Sequence, residues 1–279
     1  MKTILVVANE TLGGAPLLQR LKEHAAEEDT RAVICVPRTR PRHGNIIYDE
    51  AVFDAAQVRI DLARSVLREE GIDATGEPGD PDPYTATIDA AAEHRPDVII
   101  ISTLPATSSG WLRRDLIERV RDATGVEVEH VVADIDKEGL PFKVTLVVAA
   151  RTASAAPLQE AIKERAENER HLFIIVIPQE GGEGIHVRQA RGRMGQVLQR
   201  LRREGILVAG MIGDPDPYTA TMNALQMFKV DDVIISTLPA TRSGWLRADL
   251  IERVRKASGK PVDHVEAEQV ETTPSGTAV

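Results

Sequence analysis

Two segments of this chain carry residues able to do chemistry, and each is written twice. The run Ser102 to Thr107 (STLPAT), followed after one residue by Ser109 to Arg113 (SGWLR), recurs as Ser236 to Thr241 and Ser243 to Arg247. It offers four hydroxyls (Ser102, Thr103, Thr107, Ser109) and the guanidinium of Arg113, matched by Ser236, Thr237, Thr241, Ser243 and Arg247. Hydroxyls, one cation and the free N–H groups of a helix N-terminus together suit a small anionic ligand. The same residues also serve a plainer end. The hydroxyls cap the helix, Trp111 fastens the loop to the core, and Arg113 pairs with a surface carboxylate.

The second segment, Gly79 to Thr87 (GDPDPYTAT), returns as Gly213 to Thr221. Asp82 and Asp216 read as helix N-caps with Pro83 and Pro217 at the first helical position, and Gly79 and Gly213 as the residues of a tight turn. Two sharper readings stand beside this one. Asp80 and Asp82 could share a divalent cation, or Tyr84 with Thr85, and Tyr218 in the second copy, could form a pocket wall. Asn9 and Val36, at the ends of the first two strands, complete the candidate lining.

Other reactive residues lack partners at useful spacing. His130 and His264 match each other, but no Cys, Asp or second His stands at ligand distance in sequence, so an interface or solvent role is expected. Cys35 is matched by Val176 and reads as a buried apolar residue. No nucleophile elbow, phosphate-binding lysine loop or metalloprotease motif occurs, and no metal site is expected. A nucleotide hydrolase would have only Asp80, Asp82 and Asp115 to draw on. The expectation is therefore a non-catalytic protein.

The elements that position these segments follow from the repeat. All four motif matches, the last being Asp115 to Arg121 (DLIERVR) with Asp249 to Arg255, share an offset of 134 residues, whereas Leu5 to Ala8 and Leu146 to Ala149 are 141 apart. Seven extra residues therefore lie in the first copy, most naturally in the loop Arg38 to Asn45. The expected units are 1–138 and 139–270, linked through Asp136 to Pro141, with a disordered polar tail at 271–279. In the first unit, strands are expected at Thr3 to Ala8, Ala32 to Val36, Ile72 to Glu77, Val98 to Ile101 and Val126 to Val132. Helices are expected at Ala15 to Glu27, Glu50 to Glu69, Pro83 to Ala92 and Trp111 to Ala123.

Alternating strands and helices with continuous apolar strands predict an α/β class: two tandem three-layer α/β/α domains, each on a five-stranded, mostly parallel sheet. Only the last strand (Val126 to Val131) alternates apolar and polar residues, which predicts an edge strand or a surface through which the two domains pair. With 2 Trp, 3 Tyr and 4 Phe in 279 residues, the core must be aliphatic. A formal net charge of -9 argues against nucleic acid as a partner. One cysteine, a short apolar opening run and no long apolar stretch predict a cytoplasmic chain with no membrane anchor.

The opening run KTILVVAN, the GDP turn before a helix, and the strand DVIIIST with its loop and the helix DLIERV resemble the universal stress protein family, here as a tandem pair. The resemblance covers roughly residues 2–134 and 142–268. It implies a five-stranded fold related to adenine-nucleotide-binding domains, a role in stress response, and dimerisation through the last strand, so a homodimer is an expectation. The ATP-binding branch of the family carries glycines after the fourth strand. Here Ser102 and Pro105 stand near the first two, and Arg114-Asp115, or Ala248-Asp249, near the Gly-Ser pair. Asn9 stands where an acidic residue would meet the ribose. ATP or another adenine nucleotide, bound in the usual family manner, is therefore not expected, because side chains and proline remove the close backbone approach that glycine gives.

Overall fold

The computed structural model describes residues 1–40, 49–106, 109, 111, 115–179 and 184–268, with backbone alone at 184–187 and 247. Most of the seven-residue excess and the tail at 271–279 lie outside these residues. The chain divides into two compact units, one of Met1–Lys143 with Leu207–Ala209 and the other of Val144–Ile206 with Gly210–Val279. The first contains β1 (Lys2–Val7), α1 (Ala15–Glu27), β2 (Thr30–Pro37), α2 (Asp49–Glu69), β3 (Asp73–Gly79), α3 (Pro83–His94), β4 (Val98–Thr103), α4 (Leu116–Thr124), β5 (Glu127–Val132) and the short α5 (Ile135–Glu138). The second contains β6 (Lys143–Ala149), α6 (Ala156–Asn168), β7 (His171–Pro178), α7 (Gly184–Arg203), β8 (Leu207–Gly213), α8 (Pro217–Met227), β9 (Asp232–Thr237), α9 (Gly244–Arg247), α10 (Leu250–Ser258) and β10 (Val262–Glu266).

Each unit holds a five-stranded parallel sheet flanked by helices, ordered β3-β2-β1-β4-β5 in the first and β10-β9-β6-β7-β8 in the second. The central strands are runs of β-branched and other aliphatic residues because both faces are covered. β1 and β4 pair in parallel from Ile4 with Val98 to Val7 with Ile101, and all eight of those residues are at most 2% exposed. On one face, Leu5, Val7, Val33, Ile99, Ile101 and Val120 form an aliphatic cluster, each side chain contributing about 1.5–3 kcal/mol by leaving water. β5, as its alternation predicts, stands at the sheet edge with Val128 buried and Glu127, His130 and Val132 exposed.

The GDPDP segment is a cap in both units. Asp82 accepts from the Thr85 amide at 3.0 Å and Asp216 from the Thr219 amide at 2.8 Å, each with proline at the next position. Asp80 accepts in turn from the Asp82 amide at 2.8 Å. Gly79 and Gly213 act differently from the tight-turn reading. Neither has a positive φ; a Cβ on Gly79 would meet Cys35 Sγ and Ala86 Cβ at 2.7 Å, and one on Gly213 would meet Val176 and Ala220 at the same distance. Glycine there lets the helix pack against the strand end.

Two expectations about helices need correction. The helix expected from Trp111 onward begins at Leu116 in the first unit, and in the second it is broken into α9 and α10. Asp115 and Asp249 adopt the left-handed conformation (φ 47° and 54°), which a right-handed helix cannot run through. The expected linker Asp136 to Pro141 is also partly structured. Asp134 accepts from the Lys137 amide to start α5, Ile135 is buried, and the Phe142 ring lies where a Cβ on Gly13 would be 2.8 Å away.

Candidate functional site

In the first sheet β2 and β3 lie to one side of β1, and β4 and β5 to the other. The loop leaving β1 therefore turns one way and the loop leaving β4 the other, and a crevice opens between them at the carboxyl ends of the strands. A solvent-open cleft of about 580 Å³ occupies that place, lined by Asn9, Glu10 and Thr11 after β1 and by Ser102, Thr103 and Leu104 at the end of β4. Thr39, Arg40, Ser109 and Trp111 complete its sides. The second unit has its own cleft of about 690 Å³ at the same point, with Ala150, Arg151 and Thr152 facing Ser236, Thr237 and Leu238. Arg242, Ser243, Gly244 and Trp245 close it.

The two floors are built alike. Ser102 and Ser236 are 1% exposed, line their clefts, and have hydroxyls with no hydrogen-bond partner among the described residues. Leaving a buried hydroxyl unpaired costs about 1–3 kcal/mol. Thr11 donates to the Ser102 carbonyl at 3.1 Å, and Thr152 donates to the Ser236 carbonyl at the same distance, tying the loop after the first strand to the end of the fourth. Behind the floor, Thr103 Oγ1 lies 2.9 Å from His130 Nε2 and Thr237 Oγ1 lies 2.8 Å from His264 Nε2. Desolvation lowers the His130 pKa below its ordinary value, favouring a neutral ring beside Thr103.

The clefts differ at their rims. Position 10 of the first unit corresponds to position 151 of the second, so Glu10 in one cleft is replaced by Arg151 in the other. The Glu10 carboxylate supports the charge of Arg59 on α2, whose pKa desolvation lowers to about 10. Arg193 on α7, the counterpart of Arg59, has a buried Nε with no hydrogen-bond partner. Asn9, 8% exposed, donates to the Pro37 carbonyl at 3.0 Å and to Thr39 Oγ1, while its own Oδ1 is unpartnered. Ala150, its counterpart, makes no such side-chain link.

The remaining candidates scatter. Ser109 is buried, its amide donating to the Pro105 carbonyl at 2.8 Å, and Ser243 caps α9 by accepting from the Leu246 amide at 3.2 Å. Thr241 is exposed and is not a lining residue. Val36 is fully buried within β2. Tyr84 and Tyr218 form no cleft wall: Arg119 stacks over the first ring at 3.9 Å and Arg253 over the second at 4.2 Å, so each tyrosine joins its helix to the one beside it. Thr107 and Arg113, and the side chain of Arg247, lie outside the described residues. Trp111 and Trp245 both line a cleft, and Trp111 also packs on the aliphatic cluster.

No protein-family model and no curated protein matches the chain. Among solved structures it is similar to a universal stress protein from Archaeoglobus fulgidus DSM 4304, at 16% identity over 95% of this chain and 96% of that one, with a TM-score of 0.36. It is also similar to a protein of unknown function from Pseudomonas aeruginosa PAO1, at 15% identity over 96% of this chain and 93% of that one, with a TM-score of 0.31. The fold and the clefts stand on the strand order, register and lining residues of this chain. Among the described residues, no helix is long and apolar enough to cross a membrane.

Residue spacing missed Thr11 and Thr152, the ties that shape both clefts. Their signal was present: the 141-residue offset that aligns Leu5 with Leu146 also aligns Thr11 with Thr152 and Pro16 with Pro157. It also missed the exchange of Glu10 for Arg151. His130 and His264 are largely exposed, in keeping with a solvent-facing role, yet each meets a cleft hydroxyl.

Proposed function

We propose that this chain is a tandem, non-catalytic binding module of the universal stress type, holding a small molecule at the strand-end cleft of each unit. One observation carries this reading. At the same point of two diverged units, a fully buried serine hydroxyl is left without a partner among the described residues on the floor of an open cleft. Such a group is costly in the empty protein and becomes favourable when a ligand supplies the missing hydrogen bond. Repetition of the same arrangement in both units makes it a property of the site.

The non-catalytic part rests on how the carboxylates are used. Asp80 and Asp82 are turned to backbone amides, so two of the three acids a hydrolase would draw on already serve as caps. Asp115 and Asp249 place a carboxylate before a helix whose N-terminus would otherwise favour a polyphosphate, which supports a site that does not take ATP in the usual manner of that family. Native mass spectrometry of freshly purified protein tests the reading. A retained small molecule is expected, and its loss is expected when Ser102→Val and Ser236→Val are combined. Micromolar ATP binding at both sites, or hydrolysis of ATP by the purified chain, would overturn it.

A further inference from the structure

The two clefts share a floor and differ in charge. Among the described residues, the first is lined by one carboxylate, Glu10, and one guanidinium, Arg40, whose 2.6 Å pair with Asp49 is itself largely exposed. Among the described residues, the second is lined by two guanidiniums, Arg151 and Arg242, and by no carboxylate. Glu10 is exchanged for Arg151 among the described lining residues, and Arg242 is matched in sequence by Ser108, which lies outside them. Arg242 does reach Glu268 at 3.2 Å, but both side chains are about 70% exposed, and such a pair is weak enough to yield to an incoming anion.

We propose that the two clefts have divided their work: the second takes a small oxyanion, or a molecule that presents one, and the first rejects it. This rests on the reading of both clefts as ligand sites and adds a selectivity between them. In the second cleft the Ser236 hydroxyl supplies a buried donor on the floor and Arg151 and Arg242 supply charge at the rim, a donor set that fits phosphate or carboxylate oxygens. In the first cleft the matching serine, Ser102, shares the lining with the Glu10 carboxylate, and a second negative charge there is repelled. Position 10/151 is therefore the selectivity residue.

The chain carries its own reporters. It contains two tryptophans, one lining each cleft, so Trp111→Phe leaves a signal from the second cleft alone and Trp245→Phe a signal from the first alone. Titration with inorganic phosphate, and separately with acetate, is expected to give a saturable fluorescence change in the Trp111→Phe protein and none in the Trp245→Phe protein. Which of the two anions binds more tightly identifies the oxyanion. Arg151→Glu is expected to weaken the response at least about tenfold, the scale of one lost charge-assisted contact, and Glu10→Arg to create a response at Trp111. Equal responses in both reporters, or a response untouched by Arg151→Glu, would overturn the division of work. If neither anion gives a response in either reporter, the proposal falls as well. Native mass spectrometry then separates the causes. Two equivalents of one retained molecule leave the clefts as ligand sites without selectivity, and no retained molecule removes the parent reading too.

Discussion

The floor and the rim of each cleft have diverged at different rates within one chain. Thr11 and Thr152, Ser102 and Ser236, and Thr103 and Thr237 make the same hydrogen bonds, or leave the same hydroxyl unmade, in both copies. At the opening, Glu10 has been exchanged for Arg151. The difference has a physical source. A floor residue is enclosed by two loops and a strand end, so its replacement leaves a carbonyl or a cavity unsatisfied, whereas a rim residue changes only the field above the cleft.

The largest expected effect breaks the shared floor. Thr11→Val and Thr152→Val each strip a buried carbonyl of its donor, and each should lower stability by about 1–3 kcal/mol. Chemical denaturation read at Trp111 for the first variant and Trp245 for the second checks this. Similar losses are expected, and a loss confined to one unit would show that the two floors are alike in geometry only.

A smaller effect of opposite sign comes from Ser102→Ala and Ser236→Ala. Each removes an unsatisfied buried hydroxyl, so the ligand-free protein should gain up to about 1 kcal/mol while ligand retention falls. Thermal denaturation of ligand-stripped protein, with native mass spectrometry alongside, tests both halves. Destabilisation in both variants would mean that the hydroxyl has a partner in the folded protein.

The smallest expected effect separates the units by acid sensitivity. His171, at the start of β7, is 6% exposed, and desolvation lowers its pKa below the ordinary 6.5. The unfolded chain then binds a proton that the folded unit resists, so stability is complete above about pH 6.5 and declines as pH falls toward the folded pKa. Thr30, the matching residue of the first unit, does not titrate. There Glu129, held low by the two-pronged Arg20 contact at 2.7 Å, gives stability that is lost only below about pH 4.5. His130 adds an effect of the same sign as His171, but on a largely exposed ring. Unfolding read at Trp245 should weaken between pH 6.5 and 5 more than unfolding read at Trp111, and His171→Gln should remove the excess. Equal slopes would break this part of the comparison.

What the sequence made legible follows from period and repetition. Strand positions came from unbroken aliphatic runs such as Val98 to Ile101, and the caps at Asp82 and Asp216 from side-chain chemistry that acts within three residues. Cleft membership was only partly legible. Ser102, Thr103 and Asn9 were placed by their positions at strand ends, but Tyr84 points to a neighbouring helix, a contact across more than thirty residues that no local pattern encodes. The breaks at Asp115 and Asp249 were missed because aspartate rarely signals a left-handed backbone as glycine does.

One contact also bears on the history of the duplication. Phe142, nine-tenths buried, lies against Gly13, and Ile135 and Ala133 crowd Gly14, so the stretch leading out of the first copy now props the loop that carries Asn9, Glu10 and Thr11. In the second copy, Ser154 and Ala155 stand where those glycines would be. The fusion joint has become a structural part of one half. A gene built with the halves in reverse order would therefore not be a neutral permutation, since its binding loops would be separated from the segment that supports one of them.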